Sequence, residues 1–124
     1  MVKREKPDGI YIYILGTKYE IERVLQTADV KLKQCDGYCD TTEKRIVGRW
    51  FAPDELENEM VVGDIGAYEC KCLRHEIVHA FLYESGLSVN TQETDCWATC
   101  EEMVDWVAIQ GAKIYAAWKD AGCV

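Results

Sequence analysis

Hydrophobic and polar positions divide the chain into a strand-rich first half and a helical second half. Ile10-Tyr-Ile-Tyr-Ile-Leu15 is β-branched and aromatic and predicts a strand; Gly16-Thr17 offers a tight turn. Residues 18–24 alternate polar and apolar, which predicts a return strand with one solvated face. Residues 25–34 carry no clear period, apart from one helical turn that Asp29 could cap. Residues 37–40 and 45–50 predict a second hairpin turning through Thr42-Glu43-Lys44 and ending at Pro53. Residues 54–66 are acidic and glycine-containing and predict an exposed connection, with a short helix at 54–60. A helix is expected from about Ala67 to a stop at Gly86, with Ile77, Val78, Phe81 and Leu82 making it buried and mostly apolar. Residues 87–90 are expected to be loop. A last helix, capped by Asn90 or Thr91, should run to about Lys119, with a possible break at Gly111. Residues 1–8 read as a frayed start.

Composition narrows the class. At 124 residues and 48% hydrophobic content, the chain predicts one domain, residues 1–124, with a single modest core. No apolar run reaches the length of a membrane span, and the charged N-terminus lacks the apolar segment of a signal peptide. The expectation is a cytoplasmic protein with no membrane partner. A net charge of −8 argues against nucleic acid as a partner, because phosphate backbones recruit basic surfaces. Seven cysteines, an odd number without a secretory signal, argue for reduced thiols rather than a disulfide framework. A structural zinc using Cys70 and Cys72 with another cysteine pair is a further possibility.

The candidate chemistry lies in the first of the two helices. Both histidines of the chain, His75 and His79, fall four residues apart, so on a helix they point the same way and can share one metal ion. Glu76 follows the first histidine and would sit beside a metal-activated water as general base. This is the H-E-x-x-H spacing of zinc peptidases. A buried helix with two imidazoles on one face needs a reason for that polarity, and a metal supplies one.

A catalytic zinc needs a third protein ligand and an open position. With no third histidine, that ligand must be a carboxylate or a cysteine. The last helix offers Glu93, Asp95, Glu101, Glu102, Asp105, Cys96 and Cys100. On a helical wheel with Trp97 at the centre of the apolar sector, Glu101 lies at its inner edge, about 40° round, and Glu102 on the polar side. Glu101 is thus aimed inward, with Glu102 as the alternative metal ligand. Asp105, one turn on, could accept a hydrogen bond from the distal N–H of a ligand histidine. Cys100, on the apolar sector, reads as a core residue. Trp106 and Ile109, on the polar side of this helix, suggest a partner surface.

His75-Glu76-x-x-His79 followed by Glu101-x-x-x-Asp105 resembles the gluzincin pattern of thermolysin-like zinc peptidases. The resemblance implies His75, His79 and Glu101 as ligands, Glu76 as base and Asp105 as support for a ligand histidine. The residue before the ligand Glu, usually Asn in that family, is Cys100 here. More of the chain, residues 10–118, is similar to small zincin-like proteins of bacteriophages and prophages. The stretches that carry the similarity are Ile14–Thr17, Asp36–Asp40, Arg74–Leu87 and Glu101–Trp106. The resemblance implies an α+β, minimal zincin-like fold: a small antiparallel or mixed sheet packed on the motif helix and a long C-terminal helix. It also implies one catalytic zinc, a peptide or protein substrate and a bacterial host cell. Tyr68, Tyr83, Tyr115 and Arg74 are the candidate donors to an oxyanion, and the 37–50 hairpin could supply a sheet edge for an extended substrate. Two other readings are a non-catalytic phage interaction protein that keeps zinc for folding, and a repressor-cleaving protease of a mobile element.

Overall fold

The computed structural model describes residues 4–57, 63–90 and 97–124. It is an α+β arrangement: four strands form a mixed sheet in the order β1-β2-β4-β3, and helices follow. Strands β1 (Ile10–Ile14) and β2 (Thr17–Leu25) pair antiparallel through a two-residue turn. Leu15 and Gly16 both have positive φ, 49° and 86°, the backbone twist that joins right-twisted strands most tightly. Strands β3 (Gly37–Asp40) and β4 (Arg45–Trp50) form the second hairpin. Its turn is held by Asp40, whose Oδ1 accepts from the backbone of Thr42 and Glu43.

The two hairpins join by a parallel pairing of β2 with β4, from Glu20↔Arg45 to Leu25↔Trp50. The connection back is made by residues 26–36. Within it Asp29 caps a 3₁₀ turn, Val30–Lys33, its side chain accepting from the Lys31 amide. Leu32 and Val47 are both buried.

The single-turn expectation at Asp29 therefore describes the structure, as do both hairpins. The short helix expected at 54–60 is a 3₁₀ turn at Glu55–Glu57, and the rest of that stretch lies outside the described residues.

Helix α1 (Ile65–Glu84) begins two residues earlier than expected, with Asp64 Oδ1 accepting from Ala67 N–H at 3.0 Å. Gly86, φ 84°, lets the chain leave it. Against one face of α1 lies the core: Ile14, Tyr19, Ile21 and Ile46 with Ala80, and Leu73, Ile77 and Cys39 at its margin. The helix is less buried than its apolar residues suggested. Ile77, Val78, Phe81 and Leu82 line an open groove of about 600 Å³ against the last helix.

Residues Leu87–Asn90, expected as loop, form one helical turn, α2. The last helix, α3 (Glu101–Asp120), starts ten residues later than the expected cap, after a 3₁₀ turn at Trp97–Thr99. Trp97 and Cys100 are therefore outside the helix, and both are exposed, contrary to their place on the wheel. The helix runs through Gly111 unbroken. Its burial fades along its length: Val104 and Ala108 are buried, Tyr115 and Trp118 about half exposed.

The N-terminal segment is tied down rather than frayed at Arg4. Its guanidinium bonds the buried carboxylate of Glu69 and the Phe51 carbonyl, and stacks 4.0 Å over the Trp50 ring. Glu69, only 2% exposed, also accepts from the Phe51 amide at 3.0 Å. A buried charge persists only where it is paired and hydrogen-bonded, and Arg4 supplies the pairing. Among the described residues no helix is long and apolar enough to cross a membrane.

Candidate metal centre

The helical row of α1 sets His75, His79 and Tyr83 one above another, facing β3 and the start of α3. The first turn of α3 brings Glu101 to the same point. His75 Nε2 lies 2.9 Å from Glu101 Oε2, His79 Nε2 lies 3.2 Å from Glu101 Oε1, and the two ring nitrogens are 3.2 Å apart. His75, His79 and Glu101 are the one group of metal-capable side chains so gathered among the described residues. Glu102, the alternative ligand, stands outside it, exposed on α3. Glu93, Asp95 and Cys96 lie outside the described residues.

Asp105 accepts from His75 Nδ1 at 3.2 Å and from Lys71 Nζ at 2.6 Å. The lysine, and after it the histidine, hold its carboxyl below the usual carboxylate range. Both ring nitrogens of His75 thus face carboxylates, Nδ1 that of Asp105 and Nε2 that of Glu101. With a metal on Nε2, Asp105 would accept the remaining proton from Nδ1. Burial pushes the His79 pKa down, which disfavours a proton as the shared cation. Tetrahedral ligands about 2.0–2.1 Å from zinc stand about 3.3–3.4 Å from one another. The groups approach one another to 2.9–3.2 Å, the two histidines through different oxygens of Glu101. His75, His79 and Glu101 could together hold a metal ion such as zinc.

Glu76 points to the side, half-buried between α1 and β3. Its pKa is pushed up to about 7, chiefly by burial, with the neighbouring His75 opposing and Glu101 adding to the rise. Gly37 makes this placement possible. A Cβ there would stand 3.0 Å from the Val47 carbonyl oxygen and 3.4 Å from Glu76 Cγ.

Two polar cavities meet over Gly37, and both are lined by His75, Glu76 and Glu101. One, about 370 Å³, is bounded by Tyr38, Cys39, Thr41, Tyr83 and Ser88. The other, about 280 Å³, is bounded by Asp36, Tyr68, Lys71, Cys72 and Asp105. Tyr83 is thus at the cleft with its row-mates. Tyr68 is there too, but its hydroxyl is given to Asp36, which Arg49 also holds at 3.2 Å. Arg74 is elsewhere: its Nε donates to the Ala108 carbonyl at 2.6 Å, and with Tyr115 it lines the apolar groove.

Cys39 flanks the cleft, its thiol pushed up to about 12 by burial and by nearby Glu76 and Asp40. Cys70 and Cys72 lie 200° apart around α1, on different faces, so they cannot jointly hold an ion. Gly37, Tyr38, Thr41 and Ser88 were not recognisable as site residues from pattern alone. Gly37 did carry a signal, since glycine inside a strand marks a close backbone approach.

No protein-family model, no curated protein and no solved structure matches the chain.

Proposed function

We propose that the protein is a zinc-dependent, peptidase-like hydrolase of the small zincin kind that its motifs resemble, with His75, His79 and Glu101 as the ligands. The observation that carries this reading is the convergence of those three side chains beside a half-buried Glu76. A purely structural centre has no use for a carboxylate there. When bound, zinc would supply Lewis acidity, polarising a scissile carbonyl and acidifying a water.

The chain's own residues do the rest. Glu76, with a pKa near neutrality, takes a proton from the attacking water as its oxygen bonds to the carbonyl carbon. It then delivers that proton to the nitrogen as the C–N bond breaks. Asp105 holds His75 in the tautomer whose Nε2 faces the centre. Tyr83, on the row of the two histidines, is the donor best placed to steady the carbonyl oxygen. The free edge of β3, running past Glu76, is a backbone template along which an extended peptide could lie.

The test is Glu76→Gln, compared with the unaltered protein for bound zinc and for cleavage of a peptide library. The expected result is one zinc per chain in both and a loss of turnover of about 10²–10⁴-fold in the variant. Equal cleavage by both proteins, or no zinc uptake by either, would overturn the reading. Zinc retention with no cleavage by either protein would favour a metal kept for folding.

A further inference from the structure

The sheet has two edges, β3 at the candidate site and β1 on the far side. The β1 edge is built differently. Its five residues, Ile10-Tyr-Ile-Tyr-Ile14, include no charge, no proline and no bulge, the usual protections of an exposed edge. Tyr11 and Tyr13 are 60% and 69% exposed.

Register decides which backbone groups are open. Ile14 and Thr17 flank the two-residue turn and therefore exchange their hydrogen bonds, as do Ile12↔Tyr19 and Ile10↔Ile21. The amides and carbonyls of Tyr11 and Tyr13 point the other way, to the outer edge.

We infer that this edge pairs with the β1 strand of a second copy of the chain, antiparallel about a two-fold axis at Ile12. That axis sets Tyr11 opposite Tyr13 of the second copy and Tyr13 opposite its Tyr11. Both are hydrogen-bonded pairs, so every outward group of the two tyrosines finds a partner. The tyrosine side chains meet as cross-strand aromatic pairs on one face, and Ile12 meets its own copy on the other.

Charge is compatible with the same partner. The five residues of the strand carry no charge, so the pairing brings no like charges together. Self-pairing through β3 about Tyr38 would instead bring Asp36 opposite Asp40 of the second copy. A two-fold contact through one such strand is isologous and closed, so it stops at a dimer. The united sheet would have eight strands, with the two candidate sites at its opposite outer edges.

A single short strand pair lies at the low end of interface sizes, so dissociation is expected at micromolar concentrations or above. Sedimentation of the intact chain from about 1 µM to about 500 µM should show a mass rising from one chain toward two. Amide exchange at Tyr11 and Tyr13 should slow as concentration rises. Tyr11→Lys with Tyr13→Lys puts lysine opposite lysine across the axis and should give a monomer with unchanged circular dichroism. Should that pair of changes disturb folding, Tyr13→Pro serves instead, since it removes an outward N–H that makes no bond to β2, and a dimer that survives it counts the same way. A monomer at every concentration, or a dimer that survives the lysines, would overturn the inference. The test does not depend on zinc or on hydrolysis.

Discussion

At Gly37 a missing side chain makes room for Glu76, the candidate base. The site helix approaches the β3 backbone so closely there that a methyl group would press on both the Val47 carbonyl and Glu76. Gly37→Ala is expected to cost about 1–2 kcal/mol in urea unfolding, the range of a strained small-to-large change. Under the proposed function, the variant should also lose turnover while keeping a bound zinc, because the softer of the two neighbours is the Glu76 side chain. Unchanged kcat/KM on a cleaved peptide would show that Glu76 does not depend on that gap.

At the scale of elements, one residue at the end of α1 fastens the site helix to both hairpins. Glu84 accepts from Thr17 and Tyr19 of β2, at 3.1 and 2.6 Å, and from Lys44 of the β3–β4 turn at 2.7 Å. These bonds, Lys44 foremost, hold its pKa below the ordinary glutamate value. A depressed carboxylate adds stability above its unfolded pKa and loses it as pH falls through the folded one. The stability advantage of the unaltered protein over Glu84→Gln should therefore be full at neutral pH. It should shrink as the pH drops below the ordinary glutamate value of about 4.5. Thermal melts of both proteins across that range check it; a constant gap would mean that Glu84 is not held as an anion.

Elements whose signals are local were legible in the sequence. Ile-Tyr alternation before Gly16, the Asp29 turn and the H-E-x-x-H helix all arise from neighbours in the chain. The parallel pairing of β2 with β4 has no local signal, since it joins residues 25 positions apart. The start of α3 is less legible, because Trp97 fits the helical pattern yet lies in a 3₁₀ turn before it. Glu101 still faces the histidines, since the one-turn spacing to Val104 and Asp105 survives that shift. Arg4 could not be read at all: its role depends on Glu69, 65 residues away and buried for reasons of packing.

For the molecule as a whole, the candidate centre is also a link between α1 and α3. His75 and His79 come from one helix and Glu101, 70% exposed, from the other. An ion that binds only the folded arrangement stabilises it by about 2.7 kcal/mol at a hundred times its dissociation constant. For a chain of 124 residues that corresponds to a rise of about 10 °C in melting temperature. Scanning calorimetry before and after chelation, and again with zinc restored, should show that difference. Its absence in the presence of bound zinc would mean that α3 is held as firmly without the ion.

The strand order carries a kinetic consequence. Both hairpins close over short stretches of chain, whereas docking β4 on β2 to join them waits on a longer loop. The expected nucleus is therefore the meeting of Glu22–Leu25 with Val47–Trp50, which φ-values along those residues would test against early formation of the hairpins alone. Only after that step does α1 have a surface to dock on. The imidazoles owe their alignment to the helix and exist as a pair from the moment it forms. Glu76 is buried against β3, so its weakened acidity depends on the sheet standing behind the helix.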